Sequence, residues 1–384
     1  LTISKKFVSL VRELYKTNDF IPLHEPRFVG KEKEYVANTI ESTFVSSVGK
    51  YVDEFESKVA KFIGVKYAVA TVNGTSALHA ALVALDVMPG DLVITQSLTF
   101  VATCNAIKYC GAEPVFVDVD KSTFGMSAQS LDDFLSSQTV IKDGRCIHSE
   151  SERRVKVCIP MHTFGHPVDI DAIKKICDKY GIHLLEDSAE SLGSTYSEKG
   201  AGSFGELSII SFNGNKIITT GGGGMVVTNN EELAVKVKHL TTTAKIAHKW
   251  NYNHNEVGYN YRMPNLNAAL GCAQLENLNK FINNKRNLAQ VYSSWCLDND
   301  VNFFNDTKLT KSNYWLNALI LKDEKERTDF LEETNSNDIM TRPSWEPMHR
   351  LDMYKDCYSS NLENTNWLSE RIVNIPSSVI SQNL

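Results

Sequence analysis

Lys216 lies in the stretch whose residue types most readily do chemistry, Ser208-Ile-Ile-Ser-Phe-Asn-Gly-Asn-Lys216-Ile-Ile-Thr-Thr-Gly-Gly-Gly-Gly224-Met-Val-Val-Thr228. It reads as an apolar strand, a polar turn carrying one lysine, a four-glycine turn and a second apolar strand. An ammonium held between two buried strands is costly to desolvate, and the usual relief is a depressed pKa, a nearby anion or a covalent bond to a ligand. Taken alone, the same residue is what a solvated hairpin turn carries. Three further features bear on the choice. Asp187 ends the apolar run 182–187, at the carboxyl end of a strand, where ligands of open α/β sheets gather. Asn73-Gly-Thr-Ser76 joins a short strand (67–72) to an Ala- and Leu-rich helix (77–85), offering N–H groups and hydroxyls at the positive end of that helix. A phosphate or carboxylate suits such a turn, and so does ordinary capping. Phe100 opens the next helix.

One cofactor uses all four features together. Pyridoxal phosphate takes a lysine for its Schiff base, a carboxylate against its pyridinium nitrogen, a helix N-terminus for its phosphate and an aromatic on its ring face.

Positioning these groups falls to alternating strands and helices between residues 67 and 187, a pattern that predicts an α/β fold with a mostly parallel sheet covered on both faces. The 384 residues exceed what one compact domain usually holds. We expect an N-terminal amphipathic helix in 1–19 (Phe7, Val8, Leu10, Val11 and Leu14), a large domain in 20–275 and a small α+β domain in 276–384. A long helix over 264–292 would connect the two, and residues 314–321 read as a strand of the smaller one. Thr341-Arg-Pro-Ser-Trp-Glu-Pro-Met-His349 is too aromatic and basic for a plain linker and would line a site at the domain junction. Residues 138–154 lack periodicity and read as a surface excursion.

Other chemistries fare worse. Gly200-Ala-Gly-Ser-Phe-Gly205 matches G-x-G-x-x-G, but a strand follows it, whereas a dinucleotide fingerprint must open a helix. Gly221 to Gly224 fail the same test, and read as a tight turn beside a ligand. His162 and His166 lie on a loop with no third ligand at convincing spacing, so we expect packing rather than a metal. A net charge of -6 without a long basic run argues against nucleic acid. No apolar run approaches the ~20 residues that span a bilayer, and no signal-peptide core opens the chain. Eight scattered cysteines without C-x-x-C suit a reducing compartment, so a cytoplasmic location is expected.

The chain resembles the DegT/DnrJ/EryC1/StrS nucleotide-sugar aminotransferases, of the type I (aspartate aminotransferase-like) fold. The resemblance covers almost the whole length and rests on Asn73-Gly-Thr-Ser-Ala-Leu-His79, Pro89-Gly-Asp-Leu-Val-Ile94, Thr99-Phe-Val-Ala-Thr103, Gly111-Ala-Glu-Pro-Val-Phe-Val-Asp118, Glu186-Asp-Ser-Ala189, Ser211-Phe-Asn-Gly-Asn-Lys216 and Gly258-Tyr-Asn-Tyr-Arg-Met263. It implies that Lys216 holds the cofactor covalently and moves the proton, that Asp187 keeps the pyridine nitrogen protonated and that Phe100 stacks on the ring. Gly74, Thr75 and Ser211 would hold the phosphate, joined by Asn260 from a second subunit, which implies a homodimer with shared sites. An amino donor, typically glutamate, would load the cofactor as pyridoxamine phosphate, and a 4-keto-6-deoxy nucleotide sugar would accept the amine.

Asn213, Gly222 and Glu190 depart from the commonest family wording, where His, Glu and Gln or His are frequent. Glu190 would stand near the cofactor's phenolic oxygen, where a carboxylate repels unless protonated or turned away. The Asn-Gly-Asn-Lys and four-glycine wording, with the segment 21–28, is most similar to the LegC subgroup, which implies C4 amination of UDP-4-keto-6-deoxy-N-acetylglucosamine, towards legionaminic acid and related surface sugars. Alternatives are a GDP-4-keto-6-deoxy sugar as acceptor, a sugar dehydratase of the same fold, which replaces the Schiff-base lysine with histidine, and a catalytically silent small-molecule-binding relative.

Overall fold

The computed structural model describes residues 2–380; Leu1 and residues 381–384, at the outer ends of the first and last expected divisions, lie outside them. Its centre is a seven-stranded sheet built from β1 (Tyr67–Thr71), β2 (Leu92–Gln96), β3 (Glu113–Val117), β4 (Val155–Ile159), β5 (His183–Asp187), β6 (Leu207–Ser211) and β7 (Gly224–Thr228). The order across the sheet is β1-β7-β6-β5-β4-β2-β3. β7 runs antiparallel to both its neighbours, and the remaining pairs are parallel.

Neighbouring strand residues bury opposite faces, as period-2 geometry demands. Val93, Leu185, Ile209 and Val226 pack with the apolar side of the helix Gly74–Ala84, whereas Ile210 and Met225 pack with the helices Lys50–Ile63 and Asn265–Asp298. Both faces are therefore covered, which explains why these strands read as continuous apolar runs rather than as alternating ones. Gly64 closes the helix Lys50–Ile63 with φ 89°, the left-handed conformation its sequence position predicts.

Beyond the sheet, a four-stranded antiparallel layer holds β8 (Asn302–Phe303), β9 (Asn317–Ile320), β10 (Arg342–Pro343) and β11 (Ile372–Ile375), in the order β8-β9-β11-β10. The N-terminal helix Ile3–Tyr15 packs here: its Phe7 and Val11 share one apolar cluster with Leu288, Tyr292, Phe330 and Val373. The helix Asn265–Asp298 contributes residues to this cluster and to the core of the large sheet.

Two sequence expectations change. Residues 138–154 contain a β-hairpin, Thr139–Lys142 paired with Arg145–His148, closed by Asp143 (φ 52°) and Gly144 (φ 71°). The Asp-Gly pair was the available signal, since two consecutive positive φ values make a twist-matched hairpin turn. The strand expected over 314–321 begins only at Asn317, because Tyr314 is left-handed (φ 48°) and turns Trp315 out of the sheet.

The glycine run also divides. Gly221 needs its positive φ of 80°, but Gly224 is required by close approach: a Cβ there would lie 2.4 Å from the backbone carbonyl of Asn73 and 2.6 Å from Gly74 N. β7 thus abuts the turn that starts the helix Gly74–Ala84. Gly224→Ala should destabilise the protein by about 1–3 kcal/mol through overpacking, read as a lowered urea midpoint; an unchanged midpoint would show that the turn yields freely.

Candidate active site

Asp187 ends β5, Ser211 ends β6, and the turn after β1 places Asn73, so all three stand at the carboxyl edge of the parallel strands. A cavity of about 300 Å³ opens there, lined by Gly74, Thr75, Phe100, Asp187, Glu190, Ser211 and Lys216 among others. Seven of the eight residues singled out from sequence therefore share one space.

Asn73 is the N-cap of the helix Gly74–Ala84, its Oδ1 accepting from Ser76 N–H at 2.8 Å. Among the described residues the N–H groups of Gly74 and Thr75 have no protein acceptor. They lie close beside Ser211, whose Cβ a Cβ on Gly74 would approach to 3.1 Å. Free N–H groups at a positive helix end, next to a serine hydroxyl, fit a phosphate.

Asp187 is buried, and its Oδ2 accepts from Thr103 Oγ1 at 2.6 Å while Oδ1 accepts from Ala189 N–H at 3.2 Å. Burial raises its pKa, opposed by the hydrogen bonds from Thr103 and Ala189 and by the more distant Lys216 charge. A carboxylate so oriented and so short of counter-charge suits a cationic ring N–H as partner.

Lys216 Nζ donates to Glu190 Oε1 at 3.1 Å and lies 4.0 Å from the centroid of the Trp315 ring. Glu190 does not turn away from the site. Its Oε2 accepts from Phe164 N–H at 2.9 Å, and Phe164 itself is left-handed with a φ of 57°. Burial pushes the Glu190 carboxyl up to about 7, against the pull of Lys216 and the Phe164 N–H. Glu190 thus sits beside a cation, with burial pushing its carboxyl towards neutrality.

Trp315 escaped the sequence reading because it was assigned to a strand. Its Nε1–H donates to the Asn215 carbonyl at 2.7 Å and its own N–H to Asn313 Oδ1 at 2.8 Å, while Asn313 Nδ2 donates to the Glu190 carbonyl at 2.8 Å. Trp345, from the segment expected to line a junction, does line the cavity and meets Phe100 edge-on at 6.2 Å between ring centroids. Phe100 lines the cavity and is 49% exposed.

Asn260 is not brought to this cavity. It is exposed, bridges Thr242 and accepts from Arg262 Nε at 3.1 Å.

The rejected motifs acquire a structural purpose. Buried Glu186 accepts from Gly202, Phe204 and Gly205 N–H groups at 3.0, 2.7 and 2.7 Å, and meets His162 Nε2 at 3.0 Å. The Gly200–Gly205 loop is therefore wrapped around a carboxylate. His166 packs against Phe304 and Tyr314, and among the described residues no three His, Cys, Asp or Glu side chains gather as metal ligands.

Comparison with known proteins agrees with this geometry. The model of the DegT/DnrJ/EryC1/StrS aminotransferase family matches residues 26–382. The chain is 38% identical over 360 residues to a GDP-perosamine synthase of Escherichia coli O157:H7, covering 93% of each. It is 36% identical over 354 residues to the Bacillus subtilis protein EpsN, named as a pyridoxal phosphate-dependent aminotransferase, covering 91% of this chain and 88% of that one. The crystal structure of a DegT DnrJ EryC1 StrS aminotransferase from Brucella abortus superimposes with a TM-score of 0.82 at 26% identity, over 90% of each chain. The chain belongs to the DegT/DnrJ/EryC1/StrS aminotransferase family and is a pyridoxal phosphate-dependent aminotransferase of the type I fold.

Proposed function

We propose that the protein transfers an amino group from an amino acid, glutamate being the expected donor, to C4 of a nucleotide-linked 4-keto-6-deoxy sugar. The observation that carries this reading is Lys216 held at 3.1 Å from Glu190 in the cavity that also presents Asp187 and the free helix-end N–H groups. A dehydratase of this fold would have histidine where Lys216 stands.

Pyridoxal phosphate, when bound, supplies the electron sink that allows a proton to leave the donor's α-carbon. In this reading Gly74, Thr75 and Ser211 hold its phosphate, Asp187 its ring nitrogen and Phe100 its ring face, with Lys216 as the covalent anchor. Lys216 Nζ is then the group that takes a proton from the donor carbon and returns one to the acceptor carbon. Glu190, titrating near 7, balances each change of charge on Nζ. Trp315 confines Nζ to the side of the cavity that Glu190 occupies, and Trp345 with Phe100 narrows the mouth against water.

Two acceptors are open. The name of the E. coli relative supports a GDP-linked sugar, whereas the LegC-like wording at residues 21–28 and 213–224 supports the UDP-linked N-acetyl sugar, towards legionaminic acid. We further propose a two-domain chain divided near residue 275, with the site between the domains, and a homodimer in which Asn260 of one subunit completes the phosphate site of the other. The eight unpaired cysteines support a cytoplasmic location, and no helix among the described residues is long and apolar enough to cross a membrane.

Supplied with glutamate and, separately, GDP- and UDP-linked 4-keto-6-deoxy sugars, the wild-type enzyme should yield one amino sugar detectable by mass spectrometry. Lys216→Ala should lose both turnover and the borohydride-reducible visible species. An unchanged adduct in the variant would remove Lys216 from its role, and absence of both products would remove the nucleotide sugar; product from a sugar dehydration instead would favour the dehydratase.

The Glu190 carboxyl holds its proton more tightly in the folded protein than the ordinary value of 4.5 allows in the unfolded chain. Its contribution to stability is therefore complete below that value and is lost as pH rises through about 7. In cofactor-stripped protein, Glu190→Gln should thus gain stability relative to wild type as pH rises from about 5 to 8, followed by urea midpoints; a variant midpoint that falls relative to wild type over that range contradicts the assignment.

For the shared site, mixing inactive Lys216→Ala and Asn260→Ala subunits under exchange should restore about a quarter of wild-type turnover, because half of randomly paired dimers carry one intact site. A fully active monomer in sedimentation would refute it.

A further inference from the structure

His79 is chemically out of place in the helix Gly74–Ala84. Apart from Ser76 in the first turn, every other buried residue of that helix is Ala or Leu. His79 is itself only 6% exposed, and its Nδ1 is hydrogen-bonded to the Tyr261 hydroxyl at 3.0 Å, 182 positions along the chain. Its ring also meets Tyr259 edge-on, at 4.8 Å between centroids. An imidazole buried on an apolar helix is costly unless bonded, so what it bonds accounts for its presence.

Residues 259–262 form an extended segment paired along both edges. Tyr259 and Tyr261 N–H groups donate to the Leu240 and Thr241 carbonyls at 2.7 and 3.1 Å, and the Tyr261 carbonyl accepts from Val72 N–H at 2.8 Å. Gly258 heads the segment and is required by close approach, since a Cβ there would lie 2.3 Å from Ala244 N. Alternate side chains of extended backbone take opposite sides. Tyr259 and Tyr261 stack on each other at 5.0 Å and rest on His79, whereas Asn260 between them is exposed. Arg262 Nε donates to Asn260 Oδ1 at 3.1 Å, which leaves Asn260 Nδ2, a pure donor, without a protein acceptor among the described residues.

His79 therefore stands between two structures. Its helix begins with the Gly74 and Thr75 N–H groups of its own subunit's cavity, and the segment it touches carries an Asn260 that this cavity does not receive. The helix has other supports: Gly224 against Asn73 at its start, the Asn73 cap, and the apolar packing of Ala77, Leu78, Ala81 and Leu82. None of these needs a polar ring. The Tyr261 hydroxyl does, because His79 is the partner it has.

We infer that His79 is a positioning residue for the active site of the other subunit: through Tyr261 and Tyr259 it holds the segment that presents Asn260 outward. The inference rests on the reading that Asn260 completes the phosphate site of the partner. His79 touches neither cofactor nor substrate in this arrangement. Without its ring the Tyr261 hydroxyl is unpaired, a void opens beneath both tyrosines, and Asn260 loses its placement at a site to which its own subunit contributes no lysine.

Heterodimers purified through two different tags place His79→Leu on either side of one site. Pairing a Lys216-bearing subunit with a Lys216→Ala subunit leaves one site per dimer able to form the borohydride-reducible visible species, and its loss on dilution of the holoenzyme reports release of pyridoxal phosphate. With His79→Leu on the Lys216→Ala subunit, release should be about threefold to tenfold faster, the scale of one lost hydrogen bond. With His79→Leu on the Lys216-bearing subunit, release should stay within about twofold of the unaltered pairing. Tyr261→Phe, which keeps the ring, should follow the same pattern, and His79→Asn, whose amide reaches the place of Nδ1, should restore slow release. Acceleration confined to the Lys216-bearing subunit would make His79 a support of its own helix and overturn the inference, as would equal acceleration in both pairings or none in either. If His79→Leu subunits do not pair, Tyr261→Phe decides by the same criteria. Asn260→Ala on the Lys216→Ala subunit separates the two readings. Unchanged release there defeats the shared site and the inference with it; faster release there, with none from His79→Leu or Tyr261→Phe, leaves the shared site standing and defeats the inference alone.

Discussion

An ammonium and a carboxylate, 3.1 Å apart with side chains 13% and 2% exposed, form the contact around which this protein is arranged. Neither group is stable alone at that depth, because each loses most of its hydration and gains only the other's charge in return. The surrounding structure supplies the remainder. Phe164, in an unfavourable left-handed conformation, donates its N–H to Glu190, and Asn313 holds the Glu190 carbonyl while fixing Trp315 across Lys216. Gly165 follows at φ 98°, where a Cβ would lie 2.0 Å from Asn313 Oδ1, so the strain at Phe164 and the Asn313 contact are built as one unit. The pair is costly to assemble and chemically useful for the same reason: burial lets a carboxyl titrate near neutrality beside a nucleophilic amine.

The sheet edge distributes the remaining roles by geometry. Glu186 and Asp187 are adjacent at the end of β5 and point to opposite faces. Asp187 reaches the cavity, while Glu186 gathers three loop N–H groups and His162 on the other side. One strand end thus anchors both the chemistry and the loop that supports it. Similarly, the antiparallel β7 brings Gly224 against Asn73, so the helix that offers free N–H groups is held at its start by backbone contact and along its length by side-chain packing.

Much of this was legible from residue order because it depends on local rules. The N-cap at Asn73, the stop at Gly64 and the buried parallel strands follow from capping, φ > 0 and hydrophobic runs, each decided within a few residues. The Gly200–Gly205 motif was correctly refused for the same kind of reason, since a strand follows it. Where local rules competed, the reading failed. The Asp143-Gly144 turn was overlooked amid polar neighbours, and the apolar 314–321 run concealed a left-handed Tyr314 that no hydrophobic pattern records. Helix Ile3–Tyr15 was recognised by its amphipathic stripe, but the stripe does not say that Phe330 and Tyr292 would cover it.

Residue types and spacing by themselves determined that a lysine, a strand-end aspartate, a helix-opening turn and an aromatic were available, and that an α/β sheet would carry them. Those are properties of short segments and of their order along the chain. Tertiary structure alone decided that Glu190 meets Lys216, that Trp315 closes over the pair, and that His79 meets Tyr261. Each of these joins residues from segments far apart in the chain or turns on a single backbone angle. Such contacts are set by which faces pack together and by the cost of burying unpaired charge, and neither quantity belongs to any one segment.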